Sequence, residues 1–174
     1  LYIVWSTNFY NFMDGIDGIA SMQAITVVVA GSLLSAVAGV ADAVAIGLLL
    51  AACVAGFMAW NFPRARIFMG DAGSGFLGVV MAALALWDGY QLPALFWAWF
   101  ILNGCFMVDA TTTLVRRVRR GERFHEAHRS HAYQYAARRL NSHVPVTLWV
   151  GAINLGWLLP IAITVALGYL DGTL

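Results

Sequence analysis

The chain contains no lysine and few charged residues of any kind. Its ten basic residues are all arginines, and charged residues make up 11% of the 174 positions, compared with about a quarter in soluble domains. Hydrophobic residues make up 61%. This composition excludes an ordinary soluble domain, and we expect no nucleic-acid partner.

Cysteine is also scarce, and no leader pattern is present at the start. Cys53 and Cys105 both fall in apolar runs without metal-ligand spacing, so we interpret them as small buried hydrophobic residues. The first residue is Leu1, and no basic segment with a short apolar core and a cleavage site follows it. We therefore expect a piece of a longer protein.

Long apolar runs dominate the chain instead. A helix that crosses a membrane needs about 20 mainly apolar residues, and five segments approach this length: 19–40, 43–60, 74–87, 93–115 and 145–170. The predicted fold class is all-α, a polytopic transmembrane helical bundle that forms a single integral membrane domain over residues 1–174. Pro93 and Pro145 suit the first turn of a helix, and Pro160 predicts a kink in the last span.

The arginines are confined to two connections between these spans, 61–73 and 116–143. The other connections carry acidic residues and no basic ones. The positive-inside rule therefore predicts that both arginine-bearing loops are cytoplasmic, and the three polar motifs described next fall on that side. We expect a multi-pass protein of a bacterial inner membrane with its active site facing the cytoplasm.

The first motif is NFMDGIDG, in which Asn11, Asp14 and Asp17 are spaced by three. On a helix this spacing predicts a polar stripe, and Gly15 and Gly18 would let a ligand or another backbone approach closely. The alternative is a helix cap at a membrane interface. We favour a ligand site, because a cap needs one carboxylate rather than three polar groups.

The second motif is NFPRARIFMGDAGSG, which begins at Asn61. Pro63 should end a helix, and Asp71 is predicted to lie with Gly70 in a glycine-rich turn that opens the next span. A helix N-terminus beside a carboxylate suits a metal-bound phosphate, because Mg²⁺ is usually held by one or two carboxylates together with phosphate oxygens. The alternative is an ordinary turn.

The third motif is RGERFHEAHRSHAYQ, with His125, His128 and His131 around Arg129. A three-residue spacing lacks the pair four residues apart that a helical zinc site normally uses. We favour anion binding, in which imidazole and guanidinium groups donate to phosphate oxygens. The alternative is a basic helix that rests on anionic lipid headgroups.

Two further polar residues are noted. Asp109 lies inside the fourth predicted span, where an ionisable group is a functional candidate, although pairing with Arg116, Thr112 or Thr113 explains it equally well. His143 precedes Pro145 and is interpreted as part of the start of the last helix, without a functional role.

These three motifs together resemble the polyprenyl-phosphate N-acetylhexosamine-1-phosphate transferases, a glycosyltransferase family 4 type. NFMDGIDGIAS is similar to the family's Asn-x-x-Asp-Gly-x-Asp-Gly motif, NFPRARIFMGDAGSGFLG to its Phe-x-Gly-Asp-x-Gly-Ser motif, and AHRSHAYQ to its cytoplasmic histidine motif. The resemblance covers nearly the whole chain. The form HRSHAYQ looks more like the enzymes that begin O-antigen or other surface-glycan synthesis than the peptidoglycan branch.

The resemblance implies a reaction and a role for each motif residue. A polyprenyl phosphate attacks the sugar-linked phosphate of a UDP-sugar, giving a polyprenyl diphosphate sugar and UMP. The implied catalytic residues are Asp14, Asp71, His128 and His131; the implied metal ligands are Asp71 and Asp14; and the implied substrate-binding residues are Asn11, Asp14, Asp17, Gly70 and Arg129. The implied metal is Mg²⁺, with Mn²⁺ as an alternative.

One departure from the family pattern bears on completeness. The family carries an adjacent Asp-Asp pair before these motifs, and this chain has no such pair. The resemblance therefore implies the C-terminal half of a longer transferase. Its expected partners are UDP-N-acetylhexosamine, undecaprenyl phosphate and membrane lipid, with a homodimer as one possible assembly.

Two rival functions from other classes remain open at this point. One is a fragment of an ion-coupled transporter that uses Asp14, Asp17 and Asp109 as a path, although these acids do not recur along one crossing. The other is a catalytically inactive membrane scaffold.

Overall fold

A computed structural model describes residues 1–121 and 130–172 of the chain. Within these residues the structure is helical and contains no strand. The elements in chain order are α1 (Tyr2–Met13), α2 (Ile19–Val37), α3 (Val44–Asn61), α4 (Gly70–Gln91), α5 (Pro93–Leu102), α6 (Gly104–Arg119), α7 (Ala132–Leu140), α8 (Val144–Ile153), a π-helical turn (Asn154–Leu158) and α9 (Leu159–Ala166).

Four helical stretches are long and apolar enough to cross a membrane, and a bent pair raises the number to as many as five. The four stretches are α2, α3, α4 and the run from Val144 to Ala166; the bent pair is α5 with α6. The fold class predicted from the sequence, an all-α polytopic bundle, is confirmed. Pro93 and Pro145 occupy the first turns of their helices as predicted.

The fourth predicted span is not one straight helix. It breaks at Asn103, and its two halves meet at an angle of 68°. The Asn103 side chain donates to the Trp99 carbonyl at 2.9 Å, and Gly104 follows it. Asparagine side chains that compete for backbone carbonyls, and glycine with its backbone freedom, both weaken a helix.

The third predicted span, 74–87, is short for a full crossing, which predicts either a helix that extends past Gly89 or irregular backbone in GDAGSG; the structure shows the longer helix. Helix α4 begins at Gly70 and continues to Gln91. Asp88 was expected in a connection, but it lies in this helix, where it is buried and accepts hydrogen bonds from the Ser35 hydroxyl and from Trp99 Nε1 at 2.9 Å. This carboxylate therefore ties α4 to α2 and α5.

The last span changes helix type just before Pro160. The π-helical turn from Asn154 to Leu158 precedes α9, and Asn154 Nδ2 donates to Gln23 Oε1 and to Thr26 Oγ1, both at 2.8 Å. A proline cannot donate to the preceding turn, which accounts for a local change of helix type at this point. Both acceptors lie on α2.

Helix α2 lies at the centre of the bundle and α3 at its periphery. In the apolar window of α2, 72% of residues are buried, against 22% for α3. Cys53, expected to be buried, is instead exposed on α3, and Cys105 is partly buried. The outward face of α3 is apolar, as expected for a surface that contacts lipid.

Helix α1, which was not predicted as a separate element, packs closely against α4. At Gly78 a Cβ atom would lie 2.6 Å from the Ser6 carbonyl oxygen and 2.6 Å from Thr7 Cα, so only glycine allows this approach. One turn further along α1, Asn11 reaches Asp71 and Ser74 at the beginning of α4. This crossing therefore brings the first two motifs together.

Candidate active site

A small cavity lies where the first two motifs meet. We call it the acidic cavity; it has a volume of about 220 Å³ and is lined by Asn11, Asp14, Gly15, Ile16, Asp17, Asn61, Phe68, Met69, Gly70 and Asp71. Five of the residues that the sequence predicted for the site are among them. Asn11 Nδ2 donates to Asp71 Oδ1 at 2.9 Å and lies 3.3 Å from Ser74 Oγ.

Two of the three carboxylates that line this cavity, Asp14 and Asp71, interact electrostatically. Burial raises the pKa of Asp14 to about 6, and the negative charge of Asp71 adds to the shift. Carboxylates this close to each other favour a bound cation, or a bound proton when the pH is low. Within residues 1–121 and 130–172, no three His, Cys, Asp or Glu side chains converge as a metal site.

Asp71 lies in the first turn of α4 rather than in a turn before it. Gly70, the first residue of that helix, has φ +64°, a conformation that favours glycine. The predicted glycine-rich turn at Asp71 is therefore wrong: the helix already begins at Gly70, one residue before Asp71. A carboxylate so close to a helix N-terminus also interacts favourably with the helix dipole.

Asp14 and Asp17 do not lie on a helix, contrary to the predicted polar stripe. Helix α1 ends at Met13, and the segment 14–18, which we call the acidic loop, leads to α2. The backbone of Asp14, at φ −86° and ψ 60°, is no longer helical, and Gly18, at φ +73°, is the N-cap residue of α2. Asn11 remains helical.

Asn61 holds the acidic loop against the second motif. Its Oδ1 accepts the Gly18 N–H at 2.8 Å, and its Nδ2 donates to the Ile67 carbonyl at 2.8 Å. Because this buried amide bonds both to the acidic loop and to the segment before α4, it fixes the distance between these two segments. The sequence analysis noted Asn61 only as the first residue of a motif. A polar side chain at the end of an apolar helix is the feature that could have indicated its structural role.

Helix α7, which begins in the third motif, packs against the other side of the acidic loop. The Tyr133 hydroxyl donates to the Phe12 carbonyl at 3.1 Å, beside Gly15. A Cβ on Gly15 would lie 2.1 Å from that hydroxyl oxygen. A larger residue at this position would therefore force the Tyr133 ring to move.

Asp109 anchors the beginning of α7. Its carboxylate accepts the backbone N–H groups of Ala132 at 3.0 Å and Tyr133 at 3.2 Å, and the Thr113 hydroxyl at 3.1 Å. It also lies 3.4 Å from Nδ1 of His131. Of the partners considered from the sequence, Thr113 is confirmed, and the main role of Asp109 is to cap a helix 23 residues away in sequence.

His131 is the one residue of the predicted histidine site that lies within the described part of the chain. Its ring is 2% exposed and stacks near Phe12 and Tyr133, with centroid distances of 6.3 and 5.8 Å. Its backbone N–H donates to Gln134 Oε1 at 3.2 Å. His128 and Arg129, together with His125, lie outside the described residues.

A larger cavity adjoins the acidic cavity across the acidic loop. We call it the basic cavity; it has a volume of about 770 Å³, shares Gly15, Ile16 and Asp17 with the acidic cavity, and is further lined by Pro63, Arg64, Gln134, Ala137, Arg138, Asn141, Ser142, His143 and Val144. Arg138 packs over the Tyr135 ring at 4.6 Å. Arg64 and Arg138 therefore line the basic cavity, Asp14 and Asp71 line the acidic cavity, and Asp17 lines both.

Asp17 is contacted by two residues at the beginning of the last span, Thr147 and His143, and the sequence predicted neither contact. The Thr147 hydroxyl, fully buried, donates to the Asp17 carbonyl at 2.7 Å. His143 Nδ1 lies 3.3 Å from the Asp17 carboxylate. His143 does occupy the N-cap position of α8, as predicted, but its side chain makes no capping hydrogen bond there.

Residues 1–88, which carry Asn11, the acidic loop and Asp71, match the family model described as Glycosyl transferase family 4. The chain belongs to this family. The family resemblance inferred from the motifs is thereby confirmed. The match includes every residue that lines the acidic cavity.

Curated relatives of the chain carry related names. It is 33% identical over 120 residues to the probable undecaprenyl-phosphate N-acetylglucosaminyl 1-phosphate transferase of Bacillus subtilis, a segment that is 68% of this chain and 34% of the relative. It is 31% identical over 118 residues to the phospho-N-acetylmuramoyl-pentapeptide-transferase of Moorella thermoacetica, 68% of this chain and 36% of the relative. The matched segment thus spans about a third of the length of these glycosyl transferase family 4 relatives.

Proposed function

We propose that the protein transfers a sugar 1-phosphate from a UDP-sugar to a polyprenyl phosphate at the acidic cavity. The observation that carries this proposal is the pairing of Asp14 and Asp71 beside Asn11 in the part of the chain that matches glycosyl transferase family 4. The names of the relatives from both organisms support the same type of reaction. We infer N-acetylhexosamine as the sugar and undecaprenyl phosphate as the lipid.

The residues present fit a divalent metal ion. Two carboxylates in a partly buried cavity, one with its pKa raised to about 6 by burial and by the other's charge, provide oxygen ligands whose repulsion a cation relieves. Mg²⁺ commonly takes one or two carboxylates and completes its shell with water and substrate phosphate. Asp71 and Asp14 would hold it, Mn²⁺ accepts the same oxygen ligands, and the ion would neutralise charge on the diphosphate of the donor.

The reaction requires positioning more than covalent chemistry by the protein. An oxygen of the polyprenyl phosphate forms a bond to the sugar-bearing phosphorus, the bond from that phosphorus to the bridging oxygen breaks, and UMP leaves with that oxygen. Most of the catalysis in such transfers comes from alignment and charge stabilisation. The acidic loop contributes to the alignment here, because Asn61 and Thr147 bond to its backbone at Gly18 and Asp17. Tyr133 bonds to the backbone of Phe12 just before the loop.

The donor extends beyond the acidic cavity in this proposal. A UDP-sugar is too long to fit within about 220 Å³ together with an acceptor phosphate, and drug-sized ligands occupy roughly 300 to 1,000 Å³. The adjoining basic cavity provides the additional space and the cationic side chains Arg64 and Arg138. His128, His131 and Arg129 stay proposed phosphate-binding residues, and the site faces the cytoplasm of a bacterial inner membrane.

Turnover in proteoliposomes tests the proposal. The full-length protein is reconstituted with undecaprenyl phosphate and Mg²⁺ and supplied separately with UDP-N-acetylglucosamine and with UDP-N-acetylmuramoyl-pentapeptide, since relatives in both groups match. We expect UMP release with one of these donors, in equal amount to lipid-linked sugar. Surface-glycan initiation predicts UDP-N-acetylglucosamine. Uptake of intact donor without UMP indicates a transporter, and inertness toward both donors contradicts the proposal.

A further inference from the structure

Asp17 lies at the junction of the acidic and basic cavities and belongs to both linings. A donor that extends from one cavity into the other passes this side chain. The carboxylate is 22% exposed, so its direction is set by contacts with the protein more than by water. The orientation of Asp17 is therefore a property that the surrounding residues must control.

The backbone of Asp17 is fixed from two sides. Its carbonyl accepts the hydrogen bond from buried Thr147 at 2.7 Å, and the next residue, Gly18, donates to Asn61 at 2.8 Å. These two bonds hold the peptide groups but leave the side-chain torsions of Asp17 undetermined. A further contact is needed to orient the carboxylate.

His143 supplies that contact through a single atom. Its Nδ1 lies 3.3 Å from Asp17 Oδ1 and 3.4 Å from the Asp17 backbone nitrogen. A ring with a proton on Nδ1 donates to the carboxylate, and a ring without one accepts the backbone N–H. Among the described residues, His143 is the side chain that the structure shows in contact with this carboxylate.

We propose that His143 is a positioning residue for the donor site, and that its Nδ1 orients the Asp17 carboxylate at the junction of the two cavities. The inference rests on the proposed function, because Asp17 matters only if the donor passes it. The imidazole itself is 44% exposed toward the basic cavity. Its effect should appear in donor affinity rather than in the chemical step, which takes place beside Asp14 and Asp71.

A matched set of substitutions tests which atom of the ring is used. The amide of asparagine occupies the place of Nδ1, and the amide of glutamine, one methylene longer, occupies the place of Nε2. His143→Ala should raise KM for UDP-N-acetylglucosamine roughly ten- to hundredfold, the range for a lost hydrogen bond to a charged group, with kcat changed less than threefold. His143→Asn should restore KM, and His143→Gln should resemble His143→Ala.

Each result has a distinct meaning. If the wild-type protein binds UDP-N-acetylglucosamine and releases UMP, but all three variants keep the wild-type KM, the inference is wrong and the proposed function stands. Equal impairment of the asparagine and glutamine variants also overturns the inference, because the position of Nδ1 would then not matter. If the wild-type protein binds neither UDP-N-acetylglucosamine nor UDP-N-acetylmuramoyl-pentapeptide, the proposed function itself fails. The melting temperature of each variant shows that it folds.

Discussion

The docking of α7 on the acidic loop leads to a strong prediction for Gly15→Ala. The added Cβ would lie 2.1 Å from the Tyr133 hydroxyl oxygen and 3.1 Å from ring atom Cζ. The ring is 5% exposed and stacked near His131, so it cannot swing away freely. Overpacking of this kind costs about 1 to 3 kcal/mol, and displacement of the hydroxyl also removes its bond to the Phe12 carbonyl, worth about 0.5 to 1.5 kcal/mol.

The Tyr133→Phe background isolates this contact. Without the hydroxyl, the closest approach of the new Cβ becomes 3.1 Å and no hydrogen bond remains to be lost. We therefore expect Gly15→Ala to destabilise the Tyr133→Phe protein by at least about 1 kcal/mol less than it destabilises the wild type, a coupling within the range seen for residues in contact. Denaturant unfolding in detergent measures stability, and UMP release measures the effect on the site.

Gly56→Ala is the control for this experiment. No atom lies within 4 Å of a Cβ at Gly56, which is in the interior of α3, so this change should be neutral or stabilise by up to about 1 kcal/mol. If the Gly15→Ala penalty is the same in both backgrounds within about 0.5 kcal/mol, the packing of Tyr133 on Gly15 is refuted.

Three further predictions concern charge and topology. Because the pKa of Asp14 is raised to about 6, the acid is protonated below that pH, and Mg²⁺ affinity measured by calorimetry should be constant above pH 7 and fall about tenfold per unit below 6; a flat profile, or an unchanged slope in Asp14→Asn, contradicts this. Asp109→Asn should destabilise the N-terminal turn of α7 by about 1.5 to 3 kcal/mol, and unchanged hydrogen exchange over residues 132–140 contradicts its capping role. Single cysteines at Gly121 and Tyr90, in a background without Cys53 and Cys105, should label from opposite sides of the membrane; labelling from one side contradicts the predicted topology.

Apolar composition was sufficient to predict the helices of membrane-spanning length but not the bend within one of them. A window of about 20 residues averages over local competition for backbone hydrogen bonds, so the bend at Asn103 was invisible. The sequence contained the relevant residues, Asn103 followed by Gly104, but such pairs also occur inside continuous membrane helices. Pro160 was the more reliable signal, because a missing N–H disturbs any helix.

The first two motifs contain the five predicted site residues that line the acidic cavity. The distribution of arginines had placed both motifs on the same side of the membrane. Their backbone was predicted less well. A spacing of three suggested a helix through Asp17, whereas α1 ends at Met13 and the backbone of Asp14, at φ −86° and ψ 60°, is no longer helical. The supporting residues could not be predicted at all: Thr147 is 130 positions from Asp17, and nothing local in its sequence distinguishes a hydroxyl that holds a loop from one that bonds to its own helix.

The central claim is that Asp71 and Asp14 form a metal-dependent site for transfer of a sugar phosphate. The most direct measurement is the rate of UMP release by the full-length Asp71→Asn protein over a range of Mg²⁺ concentrations, with undecaprenyl phosphate and the donor that the wild type uses. The substitution nearly conserves shape and removes one charged oxygen ligand. We expect turnover to fall by at least about a hundredfold, equivalent to about 2.7 kcal/mol of barrier, while the protein remains folded and inserted. Near-normal turnover at limiting Mg²⁺ would contradict the account.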